Sequence, residues 1–522
     1  MPTRITYTTA YTPEELNAIN SSFDAEVTKH TNSLGREFPA LIGYQNRTGS
    51  TFNFDSVNPS RTTQALHRFG ELPVAALDEM VALANKAQKS WGALPWHDRV
   101  TMMRKAADVI RERKMTLAAA VCMETGKNRM EALGDVEESS DLIDYYATQL
   151  EMADGFYQPL ASLLPGEVTG SWLRPYGVFT VIAPFNFPVA LAAGMAGAAM
   201  LGGNSVILKP SEDTPWSGEL LLQVMRDAGI PEGVFQLCQG RGSVVGNALV
   251  RHDGIAGVAF TGSVKTGMAI HNICASGRWI KPCLMELGGK NGVIIMPGAN
   301  LDDAATGSIK SAFGLSGQKC SALSRIIVHQ DIKDALIERL AAVAQTWVVA
   351  EATRHECSLG PVINAASVAR AERSAALAAT SGGRIIYRHQ NVATDNPAGH
   401  YVMPVLAELP PSHELMQQEL FLPFAGITAV RSFEEAISVL NNTDFGLTAG
   451  IFSGDDREVE RFFEEAEAGV LYANRKTGAT TGAWPGVQSF CGWKASGGSG
   501  KGGCGPWYVS QFMREQSRTW MK

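Results

Sequence analysis

The chain reads as an α/β protein built on parallel sheets, and three observations carry that reading. From residue 178 short apolar runs alternate with longer helical patterns. A second stretch with the same alternation runs from residue 292 to about 452. Glycine is abundant, 52 of 522 residues, which suits many tight strand-to-helix turns. Apolar strands alternating with helices are the signature of βαβ units and a parallel sheet. A chain of 522 residues also exceeds one ordinary core, so two or three domains are expected.

Residues 1–70 are rich in Thr, Asn and Ser and are expected to wrap the surface. Residues 75–150 read as helical. Ala84, Ala87, Trp91 and Leu94 recur at helical spacing, and one long amphipathic pattern covers 100–121. Charged residues follow, among them Glu137, Glu138 and Asp141. Strands are predicted at 178–183, 205–208, 234–238 and 256–260, with a helix at 215–227. The most apolar run, 189–203, is too short to span a bilayer and reads as a buried helix. In the second region strands are predicted at 292–296, 325–329 and 425–430, and a helix at 332–344. The two regions meet near 286–320. The tail after Gly497 is Gly-rich and then aromatic (Trp507, Tyr508, Phe512), which predicts that it docks on the rest of the protein.

Composition narrows the function classes. Apolar residues are 45% and charged residues 19%, which is globular rather than disordered. The net charge of −7 gives no overall attraction to nucleic acid or to an anionic membrane. The segment M-P-T-R-I-T-Y-T-T-A-Y-T has no apolar core of the signal-peptide kind. The eight cysteines are scattered, with no C-x-x-C pair. That argues against a disulfide framework or a zinc site and fits a reducing cytoplasm.

The chemistry concentrates between Glu286 and Cys320. A lone cysteine is most often a small buried apolar residue. Cys320 differs because it follows the polar, flexible run Ser316-Gly317-Gln318-Lys319, and Lys319 is expected to favour the thiolate. A thiolate there can attack a carbonyl carbon, and its own backbone N–H can support the oxyanion that forms. Glu286 ends an apolar strand and precedes Gly288-Gly289. It can pair with Lys290, or it can reach a site and deprotonate water. Asn186, in P-F-N-F-P at 184–188, sits just past a strand end, where parallel sheets place ligands. Its amide is a second candidate oxyanion donor.

Two turns are candidates for a dinucleotide. G-R-G-S-V-V-G (240–246, with Gly242) misses the G-x-G-x-x-G spacing by one residue. F-T-G-S-V-K-T-G (260–267) follows a strand, and Gly262 and Ser263 would open a helix able to meet a pyrophosphate. Lys209 and Glu212, in K-P-S-E, could bond ribose hydroxyls, and a carboxylate there repels a 2′-phosphate.

Together P-F-N-F-P, K-P-S-E, F-T-G-S-x-x-x-G, E-L-G-G-K-N, G-Q-K-C, L-G-P-V-I (359–363) and Q-E-L-F-L-P (418–423) make the chain resemble the aldehyde dehydrogenase superfamily from about residue 50 to 515. The resemblance implies Cys320 as nucleophile, Glu286 as general base and Asn186 as oxyanion donor. It implies NAD as cofactor. Lys209 and Glu212 would lie on the adenosine ribose, Ser263 on the pyrophosphate, and Glu419 and Phe421 at the nicotinamide end. It implies a Rossmann-like cofactor domain (1–149 and 177–288), a catalytic α/β domain (289–495), and a small oligomerisation flap and tail (150–176 and 496–522). A homodimer or higher homo-oligomer is expected, with a small aldehyde as the only other partner.

A narrower likeness follows from G-Q-K-C-S-A-x-S-R (317–325), Asn474-Arg475-Lys476 and T-G-A-W-P-G-V-Q-S-F (481–490). These look like the 1-pyrroline-5-carboxylate (glutamate γ-semialdehyde) dehydrogenases. In that branch the T-G-A backbone receives the substrate carboxylate, which maps to Gly482 and Ala483, with Ser321 and Phe490 nearby. Glu138 would face the substrate ammonium. This chain departs from the branch at Ser489 and Cys491, where P-F-G-G is usual, and at Leu422, where Gly is usual. It also carries three extra residues between Lys476 and Thr481. A CoA-acylating dehydrogenase is an alternative that has less need of Glu286. A catalytically dead binding protein is another, which the intact Cys320, Glu286 and Asn186 argue against.

Overall fold

Two parallel sheets organise the chain in a computed structural model that describes residues 12–47, 51–394, 398–478, 480 and 484–522. The first has five strands in the order Phe235–Leu237, Ser205–Lys209, Val178–Ile182, Gly257–Thr261, Cys283–Glu286, all parallel. Strand order reverses between Val178–Ile182 and Gly257–Thr261. A crevice opens at such a reversal, beyond the carboxyl ends of the strands.

The second sheet has seven strands in the order Arg384–Arg388, Val405–Glu408, Phe424–Val430, Leu323–His329, Asn291–Ile295, Thr448–Phe452, Val470–Ala473. Only its edge strand Arg384–Arg388 runs antiparallel. The central strands of both sheets are buried on both faces, so they read as continuous apolar runs such as V-F-T-V-I and N-G-V-I-I. The strands and the helices Pro215–Asp227 and Lys333–Gln345 lie where their apolar patterns predict. Helix Ala190–Leu201 is buried on nearly every side, as its Ala- and Gly-rich run predicts.

Two expectations fail. Residues 1–70 are not a plain surface wrap, because Pro13–Thr31 is a helix. Thr12 caps it: its hydroxyl accepts from the Glu15 N–H and its own N–H reaches the Glu15 carboxylate, both at 3.1 Å. Ile19 and Phe23 bury the inner face. The pattern over 100–121 is also not one helix. It breaks at Arg113 (φ −101, ψ 13) into Trp96–Glu112 and Lys114–Thr125. The first piece shows one face to the core, whereas Leu117–Thr125 in the second is buried on all sides, so the chain must turn inward between them. Helix Arg129–Met152 then runs back along the same core.

A three-stranded sheet of Tyr157–Leu160, Glu167–Pro175 and Met513–Met521 stands apart, with the carboxyl-terminal strand on its edge. The aromatic tail docks as expected at two of its three rings. Tyr508 stacks on Tyr146 with centroids 5.2 Å apart, and Phe512 meets Phe179 at 5.1 Å. Trp507 stays exposed (62%). No described helix is long and apolar enough to cross a membrane.

Candidate active site

The Cys320 loop is built from strained backbone. Helix Leu301–Phe313 ends, and Leu315, Ser316 and Gly317 follow with φ of 50, 53 and 68°. Three left-handed residues in a row need support from outside. Ser316 Oγ donates to Gly360 O at 2.6 Å, and Gln318 Oε1 accepts the Ile363 N–H at 3.0 Å. At Gly317 a Cβ would come within 2.0 Å of Leu422 O, so only glycine fits. Asn186 donates from Nδ2 to Gln318 O at 2.9 Å, and Asn291 donates from Nδ2 to Cys320 O at 2.7 Å. Asn186 thereby touches the Cys320 loop across 132 residues of sequence. An amide has two donor hydrogens, so one remains for an oxyanion.

Cys320 sits where two cavities meet. The larger, about 1390 Å³, opens at the reversal of the five-stranded sheet. It is lined by Asn186, Lys209, Glu212, Gly242, Gly262, Ser263, Glu419 and Phe421, all of them predicted site residues, and by Cys320. The smaller, about 270 Å³, is lined by Glu286, Ser321, Phe490, Glu138 and again Cys320. Gly482 and Ala483 lie outside the described residues.

Three strands of the five-stranded sheet place site residues at or just past their carboxyl ends: Lys209, Glu286, and Gly262 with Ser263. Lys209 closes Ser205–Lys209 and is buried, with Nζ donating to Pro210 O at 2.7 Å. Burial pulls its ammonium down from the usual lysine range. Glu212 lies three residues on, and its Oε2 accepts the Gly242 N–H at 3.0 Å, which holds the carboxylate at the cavity edge. Ser263 caps helix Val264–Ala275, accepting from the Thr266 N–H. Ser263, Lys265 and Thr266 at the start of that helix line the larger cavity, and a helix N-terminus suits an anion. Glu419 comes from the other side and accepts the Gly289 N–H at 3.0 Å. Phe421, at φ 58°, sets its ring edge-on to Phe185, centroids 5.9 Å apart.

The titration states follow from burial. The Cys320 thiol is pushed up to about 12 by burial first, then by the Glu419 and Glu286 carboxylates. The expected help from Lys319 does not appear, because its ammonium lies 3.5 Å from Glu131 instead. The Glu286 carboxyl is pushed up to about 8 by burial, partly offset by the Gly503 N–H. Its Oε2 is buried with no partner among the described residues. Glu286 does not pair with Lys290, whose Nζ is also buried without a described partner. Glu138, in the smaller cavity, is raised to about 8 by burial and by Asp135.

Several lining residues were missed by sequence reasoning. Tyr146, Phe187, Trp484 and Tyr508 give the smaller cavity an aromatic wall. Cys504 lines it too, with its N–H donating to the Tyr146 hydroxyl at 3.1 Å. Asn291 stood in the quoted E-L-G-G-K-N run, and only its contact with Cys320 O reveals its part. Leu422, a departure from the branch pattern, turns its side chain into an apolar core with Met416 and Leu420 rather than into either cavity.

The arrangement holds a thiol, a carboxyl with one oxygen unpartnered among the described residues, and amide donors around one point, reached from two sides. A family model for the aldehyde dehydrogenase family matches residues 45–517. A 1-pyrroline-5-carboxylate dehydrogenase of Staphylococcus epidermidis is 33% identical over 500 residues, 95% of each chain. The solved structure of a 1-pyrroline-5-carboxylate dehydrogenase from Thermus with bound NAD superposes with a TM-score of 0.93 at 32% identity, covering 100% of this chain and 99% of that one. Lactaldehyde dehydrogenase from Escherichia coli superposes with a TM-score of 0.86 at 30% identity, covering 94% of this chain and 100% of that one. With these matches running nearly end to end and the cysteine and carboxyl sharing one cavity, the chain belongs to the aldehyde dehydrogenase family and is an oxidoreductase.

Proposed function

We propose that this enzyme oxidises L-glutamate γ-semialdehyde, in equilibrium with 1-pyrroline-5-carboxylate, to glutamate with NAD⁺. The observation that carries the reading is Cys320 at the junction of two cavities, with the Glu286 carboxyl beside it in the smaller one, its Oε2 buried without a partner among the described residues. The larger cavity suits a dinucleotide. It lies at the sheet reversal, ends on a capped helix start at Ser263 and offers Lys209 and Glu212 at its rim. Glu419 and Phe421 would bound its nicotinamide end. The carboxylate at Glu212 favours NAD⁺ over NADP⁺. When bound, NAD⁺ supplies the acceptor for the hydride that leaves the substrate carbon.

The chain's own residues do the rest. Cys320 gives up its thiol proton to water and adds through Sγ to the aldehyde carbon. The Asn186 amide and the Cys320 N–H donate to the oxyanion, a contribution of about 3 kcal/mol per donor in acyl-transfer sites. After oxidation Cys320 carries the acyl group as a thioester. Glu286 takes a proton from water at its carboxylate, the water attacks the thioester, and the acid leaves with the thiol restored. Ser321 and Phe490 flank the substrate, and Gly482 and Ala483 would receive its α-carboxylate through backbone N–H groups. Glu138 would face its ammonium.

The five-stranded sheet would serve the cofactor domain and the seven-stranded sheet the catalytic one. Among the described residues the exposed edge strand Met513–Met521 pairs on one side only, with Glu167–Pro175, which suits assembly of a homo-oligomer.

A second reading is favoured by the aromatic wall of the smaller cavity, which suits a neutral aliphatic aldehyde. NADH absorbance with 1-pyrroline-5-carboxylate, succinate semialdehyde and hexanal separates the two. The amino-acid semialdehyde should win by kcat/KM, because a substrate without the carboxylate leaves its donors unpaired. Hexanal turned over as efficiently would remove the carboxylate anchor and leave a general aldehyde dehydrogenase.

A further inference from the structure

Trp484 follows directly after the segment 481–483 and lines the smaller cavity with Leu142, Phe187 and Phe490. Its indole N–H donates to Asp141 Oδ2 at 3.1 Å, across 343 residues of sequence. Asp141 stands on helix Arg129–Met152, behind the cavity wall, and its other oxygen lies 3.7 Å from Arg111 of helix Trp96–Glu112. Arg111 is held in turn by Asp108 at 3.0 Å and by Asp144. A tryptophan has a single polar hydrogen. With that hydrogen spent on Asp141, the ring offers the cavity only apolar surface.

The backbone after Trp484 holds the ring from the other side. The N–H groups of Val487 and Gln488 both return to Trp484 O, at 2.9 and 3.1 Å. Gly486, at φ 74°, lies under the Tyr145 ring, where a Cβ would meet Cε2 at 2.9 Å. The indole is therefore clamped at its edge and at its backbone, in a cavity of only about 270 Å³.

We propose that Trp484 sets the size of aldehyde this enzyme accepts, and that Asp141 is the positioning residue that fixes the indole. The inference rests on the smaller cavity being the aldehyde site. A rigid ring closes space that a longer chain would need, and one methylene of misfit in an apolar pocket changes kcat/KM by about 10–200-fold.

The test is kcat/KM for straight-chain aldehydes from propanal to decanal at saturating NAD⁺. Trp484→Ala should raise the ratio of decanal to propanal at least about tenfold, in the range a single methylene of space provides. Trp484→Phe should move it in the same direction by less, and it serves the same purpose if the alanine variant does not fold. Asp141→Ala should raise KM with little change in kcat. Asp141→Asn keeps an acceptor oxygen and should restore KM. A decanal-to-propanal ratio unmoved in both Trp484 variants overturns the assignment. An Asp141→Asn variant as impaired as Asp141→Ala overturns the positioning role. The series contains no amino-acid semialdehyde, so failure to oxidise 1-pyrroline-5-carboxylate would remove that substrate and leave this result standing.

Discussion

The side-chain amide of Asn291 donates to the carbonyl of Cys320 at 2.7 Å and to that of Ala322 at 2.8 Å, while its Oδ1 accepts the Thr448 N–H at 3.0 Å. One residue at the start of a buried strand thus ties the Cys320 loop to two strands of the seven-stranded sheet. Removing it would leave two carbonyls and an N–H unsatisfied, at about 1–3 kcal/mol for each buried group. Asn291→Ala should lower the melting temperature and cut kcat more than NAD⁺ affinity. Calorimetry and NAD⁺ titration check this. A stable variant with unchanged kcat would show that the loop is held without Asn291.

Cys320→Ala should abolish dehydrogenase turnover while NAD⁺ still binds, read by NADH production alongside NAD⁺ titration. Substantial NADH production in the variant would mean that another group attacks the aldehyde.

The Glu286 carboxyl is raised to about 8, and the proposed base must be ionised to act. Steady-state turnover should therefore rise with pH from 7 to 9 and level off above. Below pH 8 the group is protonated and deacylation slows. Glu286→Gln should keep a pre-steady-state burst of NADH, lose steady turnover and lose this limb of the profile. If burst and steady rate fall together, the carboxyl acts earlier, on the Cys320 thiol.

Glu212 is held at the cavity edge by the Gly242 N–H, so its charge cannot swing far from an incoming 2′-phosphate. The wild-type enzyme should prefer NAD⁺ by kcat/KM, and Glu212→Ser should narrow the gap by improving NADP⁺. Equal use of the two cofactors by the unaltered enzyme would refute the reading.

His67 is buried edge-on to Trp216 (4.6 Å), and its Nδ1 has no partner among the described residues. Burial, helped by the nearby Arg36 charge, pulls it down to about 4 from an ordinary 6.5. The unfolded chain then binds the extra proton between those values, so its contribution to stability is full above pH 6.5 and is lost as pH falls to 4. Urea unfolding at pH 7 and pH 4.5 should show a loss that His67→Gln reduces. An identical acid loss in the variant would assign it to other groups.

Much of the site could be read before folding, because its chemistry is local. G-Q-K-C places a thiol in a turn, Ser263 caps the helix that follows a strand, and Lys209 ends an apolar run. Each depends on neighbours within a few residues, where periodicity and backbone preference act. The Pro13–Thr31 helix was equally local, written in the Thr12–Glu15 capping pair, and was overlooked among polar residues.

What the sequence by itself determined is the alternation of strands and helices in the two parallel-sheet regions, the family, and which side chains are candidates for the site. The tertiary structure alone decided which polar groups meet. Trp484 finds Asp141, Asn291 finds the Cys320 carbonyl, and Lys319 turns to Glu131 rather than to the thiol beside it. Burial, which depends on the whole fold, then set Glu286 near 8 and Cys320 near 12. A residue's type states what it can bond and at what pH it ionises in water. Only the packed surroundings remove that water and choose the partner.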